Sequence, residues 1–447
     1  MTKKPTFTSV LANPGIRYLW FNQILVQLSF STLNFALIIW VFRLVGSNFA
    51  VSALILSIYL PVILFGLFAG VLVDLLDRRR IIILVDILLA ISFLLFVFIK
   101  NIYPLILLNA FIMNSLTQFF MPSERSSIPM FVKDRELMVA NSLFSLTLYG
   151  AFLLSFSLGG PLLEHLGINR IFYLGGGLLV LAFLLAHNLP SIKVGVSNQS
   201  VDKSSLLSVR SVVFLTWKQT KEAIDYIIGR VNVSISIGLM SGVQAIVGIL
   251  AVIMPSYLEK TLLIKATQGS YIIMLPLGIG MIVGALLTGR KLHSIPKRSI
   301  VVPAILGDGL LFLAGAILPA FQHVLYPTSI TMILSIISFL MGFCTVLIVI
   351  PCQTVLQEHT KEQYRGRVFS ILAVATTLIS AIPVMLSGGL SDLFGVVPIL
   401  FTIGAIITMF GLLAFRPSFF FRGNHLPFRA REFLGLEHWG EKPTKSQ

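Results

Sequence analysis

The stretch GVLVDLLDRRR, residues Gly70 to Arg80, is an apolar run that stops abruptly at a carboxylate and a block of three arginines. Everything before it reads as membrane. Gly70, Asp74, Arg78 and Arg79 put charge on a short turn predicted to join two hydrophobic helices. In a membrane protein that changes conformation, such a turn can act as a latch that holds or releases its helices through charge-assisted hydrogen bonds. The competing reading is a charge block that only sets topology.

Working outward, the chain of 447 residues is 56% hydrophobic and 11% charged, with a mean hydropathy of +0.93. A water-soluble core cannot hide that many apolar side chains, so an integral membrane protein is expected. A helical crossing takes about 20 apolar residues, which leaves room for about twelve crossings with short connections. The apolar runs are continuous rather than alternating, which favours helices over a barrel. The first apolar stretch, Tyr18 to Val45, is too long for a signal-peptide core and is expected to stay as the first span.

The net charge of +15 is distributed as a topology signal rather than as a nucleic-acid surface. All but Arg43, Lys100, Arg170, Lys260 and Lys265 of the 33 basic residues fall on alternate connections and in the two tails. That pattern predicts both termini in the cytoplasm of a multi-pass protein of the cell membrane. Cys344 and Cys352, eight residues apart on one predicted helix, stand roughly 12 Å apart along its axis and cannot pair with each other. No cofactor and no metal site are expected, and the chain is expected to be a monomer.

The first span carries Gln23, Gln27, Ser31 and Asn34 on one face, facing either a neighbouring helix or a water-filled cavity. Further spans are predicted at Val51–Val73, Ile81–Ile99 with Asp86, and Leu105–Met121 with Asn109, Asn114 and Gln118. The fifth ends in GGPLLEHLG, residues 159 to 167, and the sixth covers Ile171–His187. Residues 189–230 form the one long connection, and its part from Leu206 to Ile228 is patterned as an interfacial or a solvated linker helix. The later spans are Val233–Tyr257 with Ser241 and Gln244, Tyr271–Thr288, Ser299–Leu318 with Asp308, Thr328–Pro351 with Thr345, Val368–Leu390 with Thr376, and Pro398–Phe415. Phe144-Ser145, Gly159-Gly160 and Gly167 recur as Phe369-Ser370, Gly388-Gly389 and Gly395. That repeat predicts an all-α protein of two pseudo-symmetric six-helix halves, 1–188 and 231–416, with a tail from 417.

The spacing at Gly70, Asp74, Arg78 and Arg79 resembles the loop between helices 2 and 3 of the major facilitator superfamily, G-x-x-x-D-R-x-G-R-R. Leu75 stands where that motif has a basic residue. Asp77 stands in place of its glycine, as in the branch that contains macrolide-efflux and enterobactin-exporter proteins. The segments from Pro122 to Asn141 and from Gln357 to Ser370 resemble the same branch. The second half carries a partial copy of the motif, with Gly284 for Gly70, Thr288 for Asp74, and Gly289, Arg290 and Lys291 at its end. The resemblance implies the major facilitator fold and secondary transport by alternating access, with a cavity lined by spans 1, 4, 7 and 10 and their neighbours.

Nothing in the chain proposes an enzyme: no nucleophile has a plausible base, and no glycine-rich loop carries a phosphate-binding lysine. A transporter without ATP chemistry draws on a gradient, and a carboxyl inside the membrane is the usual proton carrier. Asp308 and Asp86 are the candidates, each with the alternative of a carboxyl that merely bonds a neighbouring helix. The residues expected to line a substrate cavity are Gln23, Gln27, Ser31, Asn34, Asn114, Gln118, Ser241, Gln244, Thr345 and Thr376. The first span has amides and no carboxylate, which favours a neutral, amphipathic or anionic small molecule over a cation. The leading expectation is proton-coupled export of drug-like or siderophore-like molecules. A lipid or lysophospholipid translocator and a non-transporting scaffold or sensor are the alternatives.

Overall fold

The structure is a computed structural model and describes residues 6–133, 136–190, 230–288, 295–359 and 362–415. The linker helix, the basic-aromatic tail and the loop Gly289, Arg290 and Lys291 lie outside the described residues. Among the described residues there is no strand, and eleven helices are long and apolar enough to cross a membrane. One of them, Val139–His187, is two crossings joined at a kink, so the expected twelve are accounted for.

Apolar side chains cover the outside of these helices. Phe98 is 80% exposed, Leu393 78% and Met332 66%, values that suit hydrocarbon and not water. A short helix α1 (Phe7–Leu11) precedes α2 (Pro14–Val45). Asn13 starts α2 by accepting the Gly15 amide at 2.8 Å, and Pro14 fits the first turn, where no amide hydrogen is needed.

Several boundaries differ from the expectation, including that of the tenth span, which runs past Pro351 to His359. Helix α3 (Asn48–Leu75) runs past Val73, so Gly70 and Asp74 sit in its last turns rather than on the turn, and their side chains are outside the described set. The connection shrinks to Leu76 and Asp77. Asp77 accepts the Arg79 amide at 3.0 Å and caps α4 (Arg78–Ile99), so the residue that replaces the motif's glycine does the work of an N-cap. Helix α5 (Tyr103–Phe131) continues ten residues beyond Met121, through Pro122 and Pro129. Pro122, Glu124 and Arg125 therefore belong to a helix and not to a turn, as prolines are tolerated inside membrane helices. Ser123 and Ser127 bond back to Phe119 and Ser123 carbonyls at 2.8 and 2.6 Å.

Helix α6 (Leu137–His187) holds the fifth and sixth spans and breaks at Gly167, with φ 74° and ψ 165°. The later helices are α7 (Val231–Ser256), α8 (Leu275–Leu287), α9 (Lys297–Ile317), α10 (Pro327–His359), α11 (Glu362–Phe394) and α12 (Val396–Phe415). Gly395, between α11 and α12, has φ 86°. Gly167 and Gly395 are the paired members of the sequence repeat, and both end a helix in the left-handed region where an L side chain is strained.

The described residues cluster in two compact units: one holds those up to Gly46 and from Ala53 to 190, the other Ser47–Ser52 and those from 230 on. Within the first, α2 packs on α6, and α4 on both α5 and α6. Within the second, α7 packs on α11, and α9 on both α10 and α12, which is the same pairing scheme. The second unit closes around Ile235, Val301, Ile305, Cys352 and Val355. Its helices α8 and α10 meet backbone to backbone: a Cβ at Gly280 would collide with the Phe339 carbonyl oxygen, and one at Gly342 with that of Leu277.

Gly167→Ala and Gly395→Ala are each expected to cost about 1–2 kcal/mol, because each forces a Cβ into the left-handed region. Thermal unfolding of the detergent-solubilised protein checks this. Gly242→Ala is the control, since an added Cβ there meets nothing within 4 Å, and an equal loss at Gly242 would remove the conformational explanation.

Candidate transport site

The arginines that open α4 are anchored inside the first unit. Arg78 Nη1 donates to the Ser126 carbonyl at 2.7 Å and Arg79 Nη2 to the His187 carbonyl at 2.6 Å. His187 ends α6, so its carbonyl has no partner in its own helix, and a guanidinium there also meets the negative end of the helix dipole. Arg80 stays 87% exposed, 3.6 Å from Asp77. The expected latch thus has its two arginines tied to α5 and α6, while the side chain of Asp74 lies outside the described set.

The polar stripe of α2 meets α6. Buried Gln23 donates to the Phe144 carbonyl at 3.4 Å, and its Oε1 has no hydrogen-bond partner. Gln27 donates to Ser31 Oγ at 3.0 Å. One turn before Gln23, Trp20 donates to Thr147 Oγ1 at 2.7 Å, and Ser155 Oγ donates to the Leu28 carbonyl at 3.2 Å. Asn34 is half-buried, with its Oδ1 unpartnered. On α5, Asn114 is buried and bonds the Ala110 carbonyl, and Gln118 bonds that of Asn114, both in their own helix. Asn109 instead crosses to the Ser92 carbonyl of α4 at 2.8 Å.

In the second unit, fully buried Ser241 bonds the Ile237 carbonyl and half-buried Thr376 that of Ala373, both within their own helices. Gln244 and Thr345 are half-buried on α7 and α10. Asp308 is 4% exposed near the middle of α9, and its Oδ1 has no hydrogen-bond partner. Next to it, a Cβ at Gly307 would stand 3.2 Å from Cys344 Sγ of α10. Cys344 and Cys352 are free thiols on that one helix.

Asp86 is fully buried on α4, and its partner is Asn22 of α2. The Asn22 amide nitrogen donates to Asp86 Oδ2 at 2.6 Å and to the Ala182 carbonyl at 2.9 Å. Glu124 is 3% exposed on α5, next to the exposed Arg125. Sequence reasoning missed the burial of Glu124 and the role of Asn22. Glu124 was hidden by ending the span at Met121, although the Ser residues flanking it are the signal that a proline-bearing helix could go on. Asn22 stands one residue beside the stripe of Gln23, Gln27, Ser31 and Asn34 and is not part of it.

A further carboxylate escaped the sequence. Asp392, in the last turn of α11, caps the start of α3 within the second unit. Its Oδ1 accepts the Asn48 amide and the Asn48 side chain, both at 2.9 Å, and its Oδ2 accepts Ser47 Oγ at 2.6 Å and the Phe49 amide at 3.0 Å. An anion at a helix N-terminus satisfies orphan donors and complements the dipole. A cap supplied from 344 residues away leaves no local signature.

The chain matches the family model of the Major Facilitator Superfamily over residues 19–382, with a second match over 244–434. The chain belongs to the major facilitator superfamily. It is a multi-pass membrane transporter of that type. A relative, described as an uncharacterized MFS-type transporter, YfiS, of Bacillus subtilis (strain 168), is 26% identical over 378 residues, covering 83% of this chain and 85% of the relative. Among solved structures, the peptide transporter POT superposes with a TM-score of 0.69 at 15% identity, over 90% of this chain and 94% of that one. The nucleoside transporter NupG superposes with a TM-score of 0.66 at 13% identity, over 89% and 98%. At such identities these two likenesses concern the fold. The superfamily's loop motif is thus met in this member with Asp77 as a helix cap, Arg78 on a carbonyl of α5 and Arg79 on the last carbonyl of α6.

Asp392→Ala removes four acceptor contacts at one helix start and is expected to cost about 1 kcal/mol. Asp392→Asn, which keeps one acceptor oxygen, is expected to lose less. Thermal unfolding of the purified variants checks the order, and equal stability of wild type and Asp392→Ala would show the cap to be energetically silent.

Proposed function

We propose that this transporter is a proton-coupled exporter of hydrophobic or amphipathic small molecules, of the drug or siderophore kind, working by alternating access. The observation that carries the reading is the pair Asp308 and Asp86, each buried inside a membrane-crossing helix with one carboxylate oxygen unpartnered. A buried carboxylate without a cation is costly, so such groups are kept where charge is gained and lost in the working cycle. The amide-only polar face of α2, with no carboxylate among Gln23, Gln27, Ser31 and Asn34, favours neutral or anionic cargo over cations. The distribution of Lys and Arg supports a cell-membrane protein with both termini in the cytoplasm.

A lysophospholipid or lipid translocator is the second reading. An apolar cavity of about 250 Å³ in the first unit, lined among others by Leu28, Leu154, Leu158, Leu162 and Leu174, favours it. An acyl chain suits that lining.

The test is an efflux panel of drugs, siderophores and lysolipids in a transporter-depleted host, with and without a proton uncoupler. Wild type is expected to export at least one panel member and to stop when the uncoupler is added. Asp308→Asn is expected to lose that export at unchanged membrane abundance, and Asp74→Asn to slow it. Export that survives the uncoupler removes proton coupling, export confined to lysolipids selects the second reading, and no difference from empty vector across the panel overturns both.

A further inference from the structure

We propose that Asp86 and Asn22 form an acid–amide pair, in which the Asp86 carboxyl carries a proton on Oδ1 and donates it to Asn22 Oδ1. That bond closes a ring with the one already present, from the Asn22 amide nitrogen to Asp86 Oδ2 at 2.6 Å. Asn22 is thereby the positioning residue of a stored proton. Both side chains are wholly buried, and each keeps one oxygen without a hydrogen-bond partner, Asp86 Oδ1 and Asn22 Oδ1. The orientation of the amide is fixed by its second contact. A backbone carbonyl can only accept, so the Asn22 atom 2.9 Å from the Ala182 oxygen is Nδ2, and its two hydrogens go to Ala182 and to Asp86 Oδ2. Oδ2 is then an acceptor, which leaves Oδ1 to carry the proton.

The two atoms left over complement each other. A carboxyl and a carboxamide are both planar forks, and when they meet edge to edge, N–H to C=O on one side sets O–H to C=O on the other. One proton on Asp86 Oδ1 turns that atom into a donor and gives Asn22 Oδ1 its partner, so both orphans are satisfied together. No side chain one turn away can do the same. Leu19 and Val26 on α2, Ile82 and Ala90 on α4, and Leu179 and Ala186 on α6 are all apolar and at most 4% exposed.

The pair ties three helices. Helices α2 and α4 both pack on α6, and Asn22 of α2 bonds Asp86 of α4 and Ala182 of α6. Release of the proton breaks the Asp86 O–H bond: the proton passes to water, the carboxylate keeps the electron pair and one negative charge, and the bond to Asn22 Oδ1 is lost. The charged and titratable groups on the helices packed here are Arg17, Tyr18 and Arg43 of α2, Arg78, Arg79, Arg80 and Lys100 of α4, Tyr103, Glu124 and Arg125 of α5, and Glu164, His165, Arg170, Tyr173 and His187 of α6. Among the described residues none of them hydrogen-bonds to Asp86 or Asn22. The part of the pair in transport rests on the proton-exchange reading; the pair itself does not.

The pair is tested on the full chain, purified and reconstituted in phosphatidylcholine vesicles, by infrared difference spectroscopy at neutral pH and by thermal unfolding. The expected result is a protonated-carboxyl C=O band that is lost in Asp86→Asn and moves to higher wavenumber in Asn22→Leu, where the C=O loses its N–H donor. Asn22→Ala moves the band in the same sense and serves if Asn22→Leu does not fold. Asp86→Asn keeps the wild-type melting temperature, because an amide in place of the acid makes the same two bonds. Asp86→Leu and Asn22→Leu each lower it, and the double variant loses less than the sum of the two. A wild type without that band at neutral pH, a band indifferent to both Asn22 variants, or an Asp86→Asn variant as unstable as Asp86→Leu overturns the pair. If band and melting temperatures behave as expected while Asp86→Asn exports with full sensitivity to uncoupler, the pair stands and the proton-exchange reading loses Asp86. If Asp86→Asn abolishes uncoupler-sensitive export and the band ignores Asn22, the pair falls and proton exchange stands.

Discussion

The bilayer offers no water to a backbone amide, and that constraint governs this molecule. Every span must satisfy its hydrogen bonds internally, so the described spans are helical throughout. The same constraint explains how two prolines can stand inside α5 without ending it. The stretch around Pro122 is rich in Ser hydroxyls that bond back to carbonyls of their own helix, at Phe119 and Ser123.

With the ladders complete, the unsolved groups are those at helix ends, and the charged residues of the chain gather there. Asp77 caps α4, Arg79 closes the C-terminal carbonyl of α6, and Asp392 holds the first turn of α3. Each is a charge placed against the complementary end of a helix dipole, where a partly buried ion is most strongly favoured. At these three places charge positions helices. Lys297 and Glu358 form a cross-helix ion pair among the described residues, and both lie at helix termini.

The carboxyls that do not serve helix ends stand apart from this scheme. Asp86, Glu124 and Asp308 are buried within spans, and each keeps an oxygen for which the protein supplies no donor. Close packing makes that meaningful. Where α8 and α10 meet at Gly280 and Gly342, the chain achieves backbone contact by omitting a side chain altogether, so an orphaned polar oxygen elsewhere is not a result of loose assembly. Each such group costs stability for as long as it stays unsatisfied.

Periodicity and composition by themselves determined the membrane class, the near-count of crossings and the internal repeat, because hydrocarbon demands about 20 apolar residues per span whatever the packing. The left-handed glycines at 167 and 395 were legible for the same reason: they are local necessities, written at equivalent places in each half. The end of the first span was legible at Val45, where Gly46 closes the helix, whereas its start lies at Pro14 rather than Tyr18. Tertiary structure alone decided that Asp74 is helical, that Glu124 is buried inside α5, that Asn22 holds Asp86, and that Asp392 caps a helix begun 344 residues earlier. Those facts depend on which helix faces are brought together, and a one-dimensional pattern carries the period of a face but not the identity of the face opposite.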